Sequence, residues 1–274
     1  MSRLAGYGGA VFVSQQVIHA CDVVFDEYVD AGCTITADAT DYKVGAASLK
    51  MVQDAGLNNT EIIATDSIAA LNLVTPNAYS ALYCWAKCSV GVATGTYRVL
   101  LDDVASCPAP QAEFDIPALV ANVWKFCQCA LATGTWAAST AIISVGVRLQ
   151  ANDPAACTLW IDAINVAKTI AGIRGWTIDE TMDVVDVTSF QDGGHKTFIP
   201  TLDGWSGSFD GFKDGAPLAI GTEIALELRE SSTSTQQWRG SAILTGRHPN
   251  VSVDGAVIYT YDFLGNHKLE APTT

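Results

Sequence analysis

The chain has 274 residues, 49% of them hydrophobic and 16% charged, the balance of a folded globular protein rather than a disordered one. Its formal net charge is -14 and it has no cluster of Lys and Arg, which excludes a nucleic-acid grip that works by neutralising phosphates. The apolar runs, 140–149 among them, fall short of the ~20 residues of a bilayer helix. The opening MSRLAGYGGAVFV lacks the basic and apolar regions of a signal peptide, so assembly in a reducing cytoplasm is expected.

Strand-length apolar runs occupy 46–52, 80–89, 97–104, 123–132, 141–149 and 157–167. Their spacing and the turn residues between them predict an antiparallel jelly roll. From residue 169 the pattern changes to alternating strands at 171–179, 183–190, 205–212, 223–230, 238–246 and 257–265. In 223–230, Ile224, Leu226 and Leu228 share one face while Glu223, Glu227 and Arg229 share the other. Asp192-Gly193, Asp203-Gly204, Asp214-Gly215 and Asp254-Gly255 mark tight turns between them. Helical potential is limited to a turn or two near Lys213–Gly221.

All eight cysteines lie between Cys21 and Cys157, and composition changes after residue 168. Both signals divide the chain into 15–168 and a second module made of 1–14 plus 169–274. The fold class expected is all-β, a sandwich of two packed sheets with at most one short helix, carrying the jelly roll as an insert. Cys84 with Cys88 and Cys127 with Cys129 are closely spaced but do not repeat as metal-binding pairs. His19, His195, His248 and His267 are not interleaved with them, so buried free thiols are expected and no metal or cofactor.

Enzyme chemistry finds little support in the residues. Asp102 and Asp103 are adjacent in a strand and point to opposite faces. His248 precedes a proline at a strand end, and no phosphate loop, HExxH or Ser-His-Asp arrangement occurs.

The segments 170-IAGIRGWTIDETMDVVDVTSFQDGGHKTFIPTLDGWSGSFDGFKDG-215 and 237-QWRGSAILTGRHPNVSVDGAVIYTYDF-263 resemble the lambda-like family of phage major tail proteins. The opening 5-AGYGGAVFVS-14 is similar to the first strand of the same fold. In that family the first strand leads within a few residues to an AGIRGW-like strand; here 15–168 intervene, as an insertion at a hairpin tip.

The resemblance implies a tail tube subunit that closes into hexameric rings with itself, the rings stacking around a tape-measure protein and ending on tail-terminator and tip proteins. DNA passes only transiently through the lumen, no membrane is involved, and the location is the virion. The loop 188–200 then becomes an inter-ring contact through Phe190, Asp192, His195, Lys196, Phe198 and Pro200. Glu223 and Glu227 become the candidates for an acidic lumen lining that repels the duplex, against the alternative that these acids solvate the outer wall.

The insert is similar to jelly-roll modules of carbohydrate-binding proteins in 41-DYKVGAASLKM-51 and 159-LWIDAINV-166. The resemblance to tail proteins, with the insertion at a hairpin tip, places the insert on the tube exterior, while the jelly-roll likeness implies an alternative function, a glycan-binding adhesin or tail-tip/decoration protein. Trp85 and Trp160 alternate with the apolar residues of their strands and read as core, which leaves Trp136 as the exposed stacking candidate. It also implies a structural calcium near Asp22, Asp26 and Asp162, although solvated surface acids explain these equally well.

Overall fold

The computed structural model describes residues 9–272 except 56, 75–78, 152–155, 192, 214, 232–235, 252, 254 and the side chain of Gln15. Among these the chain is all-β, with 16 strands and a single 3-10 turn at Trp136–Ala138. No described helix is long and apolar enough to cross a membrane. The chain forms two compact units, Ser14–Thr169 on the one hand and Met1–Val13 with Ile170–Thr274 on the other.

The strand β1 (Ala10–His19) contributes to both units. Unit Ser14–Thr169 continues with β2 (Tyr28–Val29), β3 (Cys33–Asp38), β4 (Ser48–Gln53), β5 (Ile62–Leu71) and β6 (Ala81–Cys88). It is completed by β7 (Tyr97–Asp102), β8 (Ala112–Asp115), β9 (Lys125–Gly134), β10 (Ile142–Leu149) and β11 (Thr158–Thr169). One sheet runs β3-β4-β11-β6-β9, the other β9-β8-β7-β10-β5-β2. β9 belongs to both because its first half, Lys125–Cys129, pairs with β6 and its second half, Ala130–Gly134, pairs with β8.

Alternate residues of the central strands enter one core. Leu82, Cys84, Ala86 and Cys88 of β6 meet Leu49 and Met51 of β4, Val99 and Leu101 of β7, and Val145 and Val147 of β10. The eight cysteines are free thiols, all buried except the half-buried Cys33. Burial pushes the Cys33 and Cys107 thiols up to about 12, so they behave as small apolar side chains.

The second unit comprises the start of β1, then β12 (Ile173–Asp186), β13 (Phe198–Phe212), β14 (Glu223–Arg229), β15 (Gln237–Asn250) and β16 (Ile258–Glu270). Its strands are ordered β12-β13-β16-β15-β14-β1, each pair antiparallel. The two ends of this order return to each other. The Ile170 N–H donates to the Val11 carbonyl at 2.9 Å, and the Trp176 indole N–H to the Arg229 carbonyl at 3.2 Å. Val11, Val13, Trp205, Phe209, Leu226, Leu228, Tyr261 and Phe263 fill the enclosed core.

Two local expectations are corrected. The strands expected separately at 171–179 and 183–190 are one strand, β12, because its pairing with β13 continues past the core as far as Asp186 and Phe198. No helix forms among the described residues of 213–221; Gly215 (φ 69) and Gly221 (φ 79) take the left-handed conformation of turns.

Candidate interaction surface

β12 and β13 share the core only at their proximal halves, through Ile173, Trp176 and Ile178 on one strand and Trp205 and Phe209 on the other. Beyond them Asp179–Asp186 and Phe198–Gly204 remain paired while every residue on both strands is exposed. The result is a two-stranded arm. Its ladder is Thr181↔Gly204, Met182↔Asp203, Val184↔Pro200, Val185↔Ile199 and Asp186↔Phe198, with one irregularity between Met182 and Val184. Pro200 is tolerated because β16 pairs β13 only from Ser206 onward, so no ladder partner waits for the missing N–H.

The tip is ordered by its own polar groups. Asp186 accepts from the Thr188 N–H at 3.0 Å, Thr188 Oγ1 accepts from the Thr197 N–H at 3.0 Å, and the Val187 N–H donates to Thr197 at 2.9 Å. The Thr188 hydroxyl bond is the first reason the Asp186 carboxyl lies below its ordinary value. Lys196 stands 3.6 Å from Asp186 and 5.9 Å from the centre of the Phe198 ring.

This arm is apolar on both faces. Met182, Val184, Val185, Phe198, Ile199 and Leu202 are exposed, and Phe190 at the tip reaches 111% of its reference area. A ribbon of two strands with no core under either face is marginal in water. Contiguous exposed apolar side chains mark an interaction surface. Of the residues expected at an inter-ring contact, Phe190, His195, Lys196, Phe198 and Pro200 lie exposed on this arm, and Asp192 lies outside the described residues.

The expected acidic lining separates into two different residues. Glu227 is fully buried, ion-paired to Arg229 and, at 3.0 Å, to Arg239. Arg229 in turn lies 4.0 Å over the Phe12 ring. Glu227 is therefore corrected from a lining residue to the centre of an internal ion cluster, since Arg229 two residues along its own strand and its cross-strand neighbour Arg239 cover and neutralise it. Glu223 is half-buried and accepts from Asn266 at 3.0 Å and from the Ser241 hydroxyl.

On unit Ser14–Thr169, Trp136 is also corrected. It is half-buried, packed on the core with its ring 5.0 Å from Phe114, so it is not a free stacking platform. Trp160 departs from its core reading as well. It stands half-buried on the outer face of its sheet, its indole N–H donating to Asp38 at 3.1 Å. Its cross-strand neighbours on either side, Lys50 and Lys87, both stand over its ring, Lys87 at 3.9 Å. Lys87 is ion-paired to Asp41, and burial holds its amine below the ordinary lysine value.

Asp22 and Asp162 are brought together by loop 41–47. The N–H groups of Lys43 and Val44 donate to Asp162 at 2.7 and 2.9 Å, and those of Ala46 and Ala47 donate to Asp22 at 2.6 and 2.9 Å. A register shift in β11 after Asp162, with Ala163 left-handed at φ 49, turns the carboxylate toward this loop. Its Oδ1 is buried without a hydrogen-bond partner among the described residues. Asp26 does not join: its backbone N–H serves Asp66. Among the described residues no group of three His, Cys, Asp or Glu is placed to hold a metal ion, so the acids of the calcium expectation form a pair rather than a cage.

No family model matches the chain, and no curated protein matches it. Among solved structures it is similar to the tail of an empty GTA particle with C6 symmetry, at 20% identity and TM-score 0.34, over 39% of this chain and 87% of that one. It is similar to the virion of a native gene transfer agent particle at 20% identity and TM-score 0.33, over 39% of this chain and 89% of that one. It is also similar to the family 30 carbohydrate-binding module of a cellulosomal cellulase of Clostridium thermocellum. There the identity is 15% and the TM-score 0.30, over 60% of this chain and 94% of that one.

Proposed function

We propose that the chain is a non-enzymatic structural subunit of a bacteriophage tail tube, closing with itself into rings of six that stack around a tape-measure protein and later conduct the genome. The observation that carries this reading is the arm of β12 and β13, which leaves apolar side chains exposed on both faces. An isolated chain gains nothing from such a ribbon, whereas an assembly buries it. β12 is also the terminal strand of its sheet order, and its outer edge offers backbone groups to a neighbour. The net charge of -14 suits a conduit, because a lining that bound phosphates would retain the DNA it has to pass.

The glycan-binding alternative draws less support from the side chains. Trp136 packs on Phe114, and the ring of Trp160 already carries two lysines. Negative-stain microscopy of the purified full-length chain tests the proposal. Rings or tubes ~100 Å across, by the spacing of packed sheets, are expected; a chain that stays monomeric in sedimentation at high concentration overturns it.

A further inference from the structure

The core of unit Ser14–Thr169 holds two contacts between thiols. Between β6 and β9 the Sγ atoms of Cys84 and Cys129 stand 3.6 Å apart. In the second contact the Cys157 thiol is hydrogen-bonded to the Cys88 sulfur. Cys88 is the last residue of β6, and Cys157 immediately precedes β11. Leu159 lies opposite Cys88, so Cys157 sits diagonally across the same ladder, within side-chain reach.

The surroundings of the two pairs differ. The Cys84 and Cys129 thiols both lie above their ordinary value. Around the Cys88 sulfur stand the Cys157 thiol, the backbone N–H groups of Val90 and Ser89, and the Tyr97 hydroxyl. The Tyr97 hydroxyl is 3.1 Å from the Cys157 sulfur and 3.1 Å from Gln53 Oε1. Donors gathered on one sulfur favour its thiolate. The Cys88 thiol accordingly lies below its ordinary value, first of all through Cys157 and against the cost of burial. Both side chains are buried, but the chain beside them is open to solvent: Ser89 and Val90 are half-buried, and Gly91 and Ala156 are exposed. Strand ends of this kind open locally at low cost, which admits a reagent scarcely larger than water.

We infer that Cys88 and Cys157 form an oxidation site for hydrogen peroxide, Cys88 as the attacking thiolate and Cys157 as the thiol that resolves it into a disulfide. The Cys88 sulfur takes one peroxide oxygen, an S–O bond forming as the O–O bond breaks. The departing hydroxide leaves as water with the proton that Cys88 gave up. The Cys157 sulfur then attacks the Cys88 sulfenic acid; the S–O bond breaks, and a second water leaves with the Cys157 proton. Two thiols are oxidised to one disulfide, and one peroxide is reduced to two waters. The new bond ties the end of β6 to the segment entering β11 and closes the chain between them into a loop. It is independent of the tube reading.

The full-length chain is exposed to hydrogen peroxide, unfolded, alkylated and mapped by mass spectrometry of its peptides. Peptides joined through Cys88 and Cys157, lighter by two hydrogens, are expected before any other cysteine is lost. Solvent access alone would give the opposite order, with the half-buried Cys33 first. Cys157→Ser is expected to stop at a Cys88 sulfenic acid that dimedone captures, and Cys88→Ser to leave Cys157 reduced. A melting temperature equal to the parent's establishes that each variant is folded. Cys33 oxidised first, or Cys88 and Cys157 still open to alkylation at the end, overturns the inference. The parent chain alone decides that result, so a variant that fails to fold does not rescue it.

Discussion

The indole of Trp205 occupies the space in which a side chain at Gly265 would stand. A Cβ built at Gly265 lies 2.1 Å from its Cε2, and one at Gly240 lies 2.6 Å from its Cζ2. The indole N–H also donates to the His267 carbonyl at 2.9 Å, which fixes the ring in place. Gly265→Ala is therefore expected to overpack the core by about 1–3 kcal/mol. Denaturant titration of the full chain reads this as a lowered midpoint for the unit containing Trp205; an unchanged midpoint would show that the ring yields.

The arm gives a second prediction. Phe190→Asp or Phe198→Asp places a charge where the proposed stacking desolvates the arm, at a cost of several kcal/mol. Rings are expected to form while stacking fails. Tube length in negative stain is the measurement, and tubes of parental length would mean that the arm carries no contact.

The unit Ser14–Thr169 has its own core, separate from that of the remaining chain. The Ile170 N–H reaches the Val11 carbonyl at 2.9 Å, so the chain leaves for this unit and returns from it at neighbouring points. Deleting 16–168 and joining Gln15 to Thr169 through a short turn should leave a soluble, folded remainder that still assembles. Insolubility, or loss of assembly, would make the removed unit part of the wall.

Asp162 supplies a pH dependence. Burial first of all raises its carboxyl from 3.8 to about 6, against the hydrogen bonds from Val44 and Lys43. Because the folded value lies above that of the unfolded chain, the folded state keeps its proton over the window between them. Stability of unit Ser14–Thr169 therefore falls as pH rises from about 4 to about 6, and a cost of about 3 kcal/mol is fully present above that range. Asp162→Asn retains an oxygen for the Lys43 and Val44 N–H groups and should flatten this part of the melting-temperature profile. An identical profile for parent and variant counts against the assignment.

Glu227→Ala would leave Arg229 and Arg239 facing each other without their shared carboxylate. Removing one partner of a buried ion cluster costs about 3–5 kcal/mol. The expected result is a destabilised unit in calorimetry, with no selective defect in genome passage among particles that do assemble. A stable variant with blocked ejection would return Glu227 to the lumen.

The strand pattern was legible in the residues themselves. Ile224, Leu226 and Leu228 enter the core because side chains alternate across a strand wherever it pairs, and the same rule delivered Trp205 and Phe209. β2 and β8, of two and four residues, were too short to show it, and β5 (Ile62–Leu71) carries its apolar residues in runs instead of alternation. The sequence also marked Phe190 and Phe198 as apolar residues in a Gly-rich segment, but not that β12 and β13 stay paired well beyond their core. Nor did alternation disclose the surroundings of a polar face. Glu227 read as solvated because its own strand offers only alternation; Arg239, which buries it, comes from β15, 12 residues on. Trp160 read as core because the lysines at its sides come from strands far away in the chain, Lys87 on β6 and Lys50 on β4. Which way a side chain points is set locally by the backbone, whereas what it meets there depends on which distant strand becomes its neighbour, and only the tertiary pairing decides that.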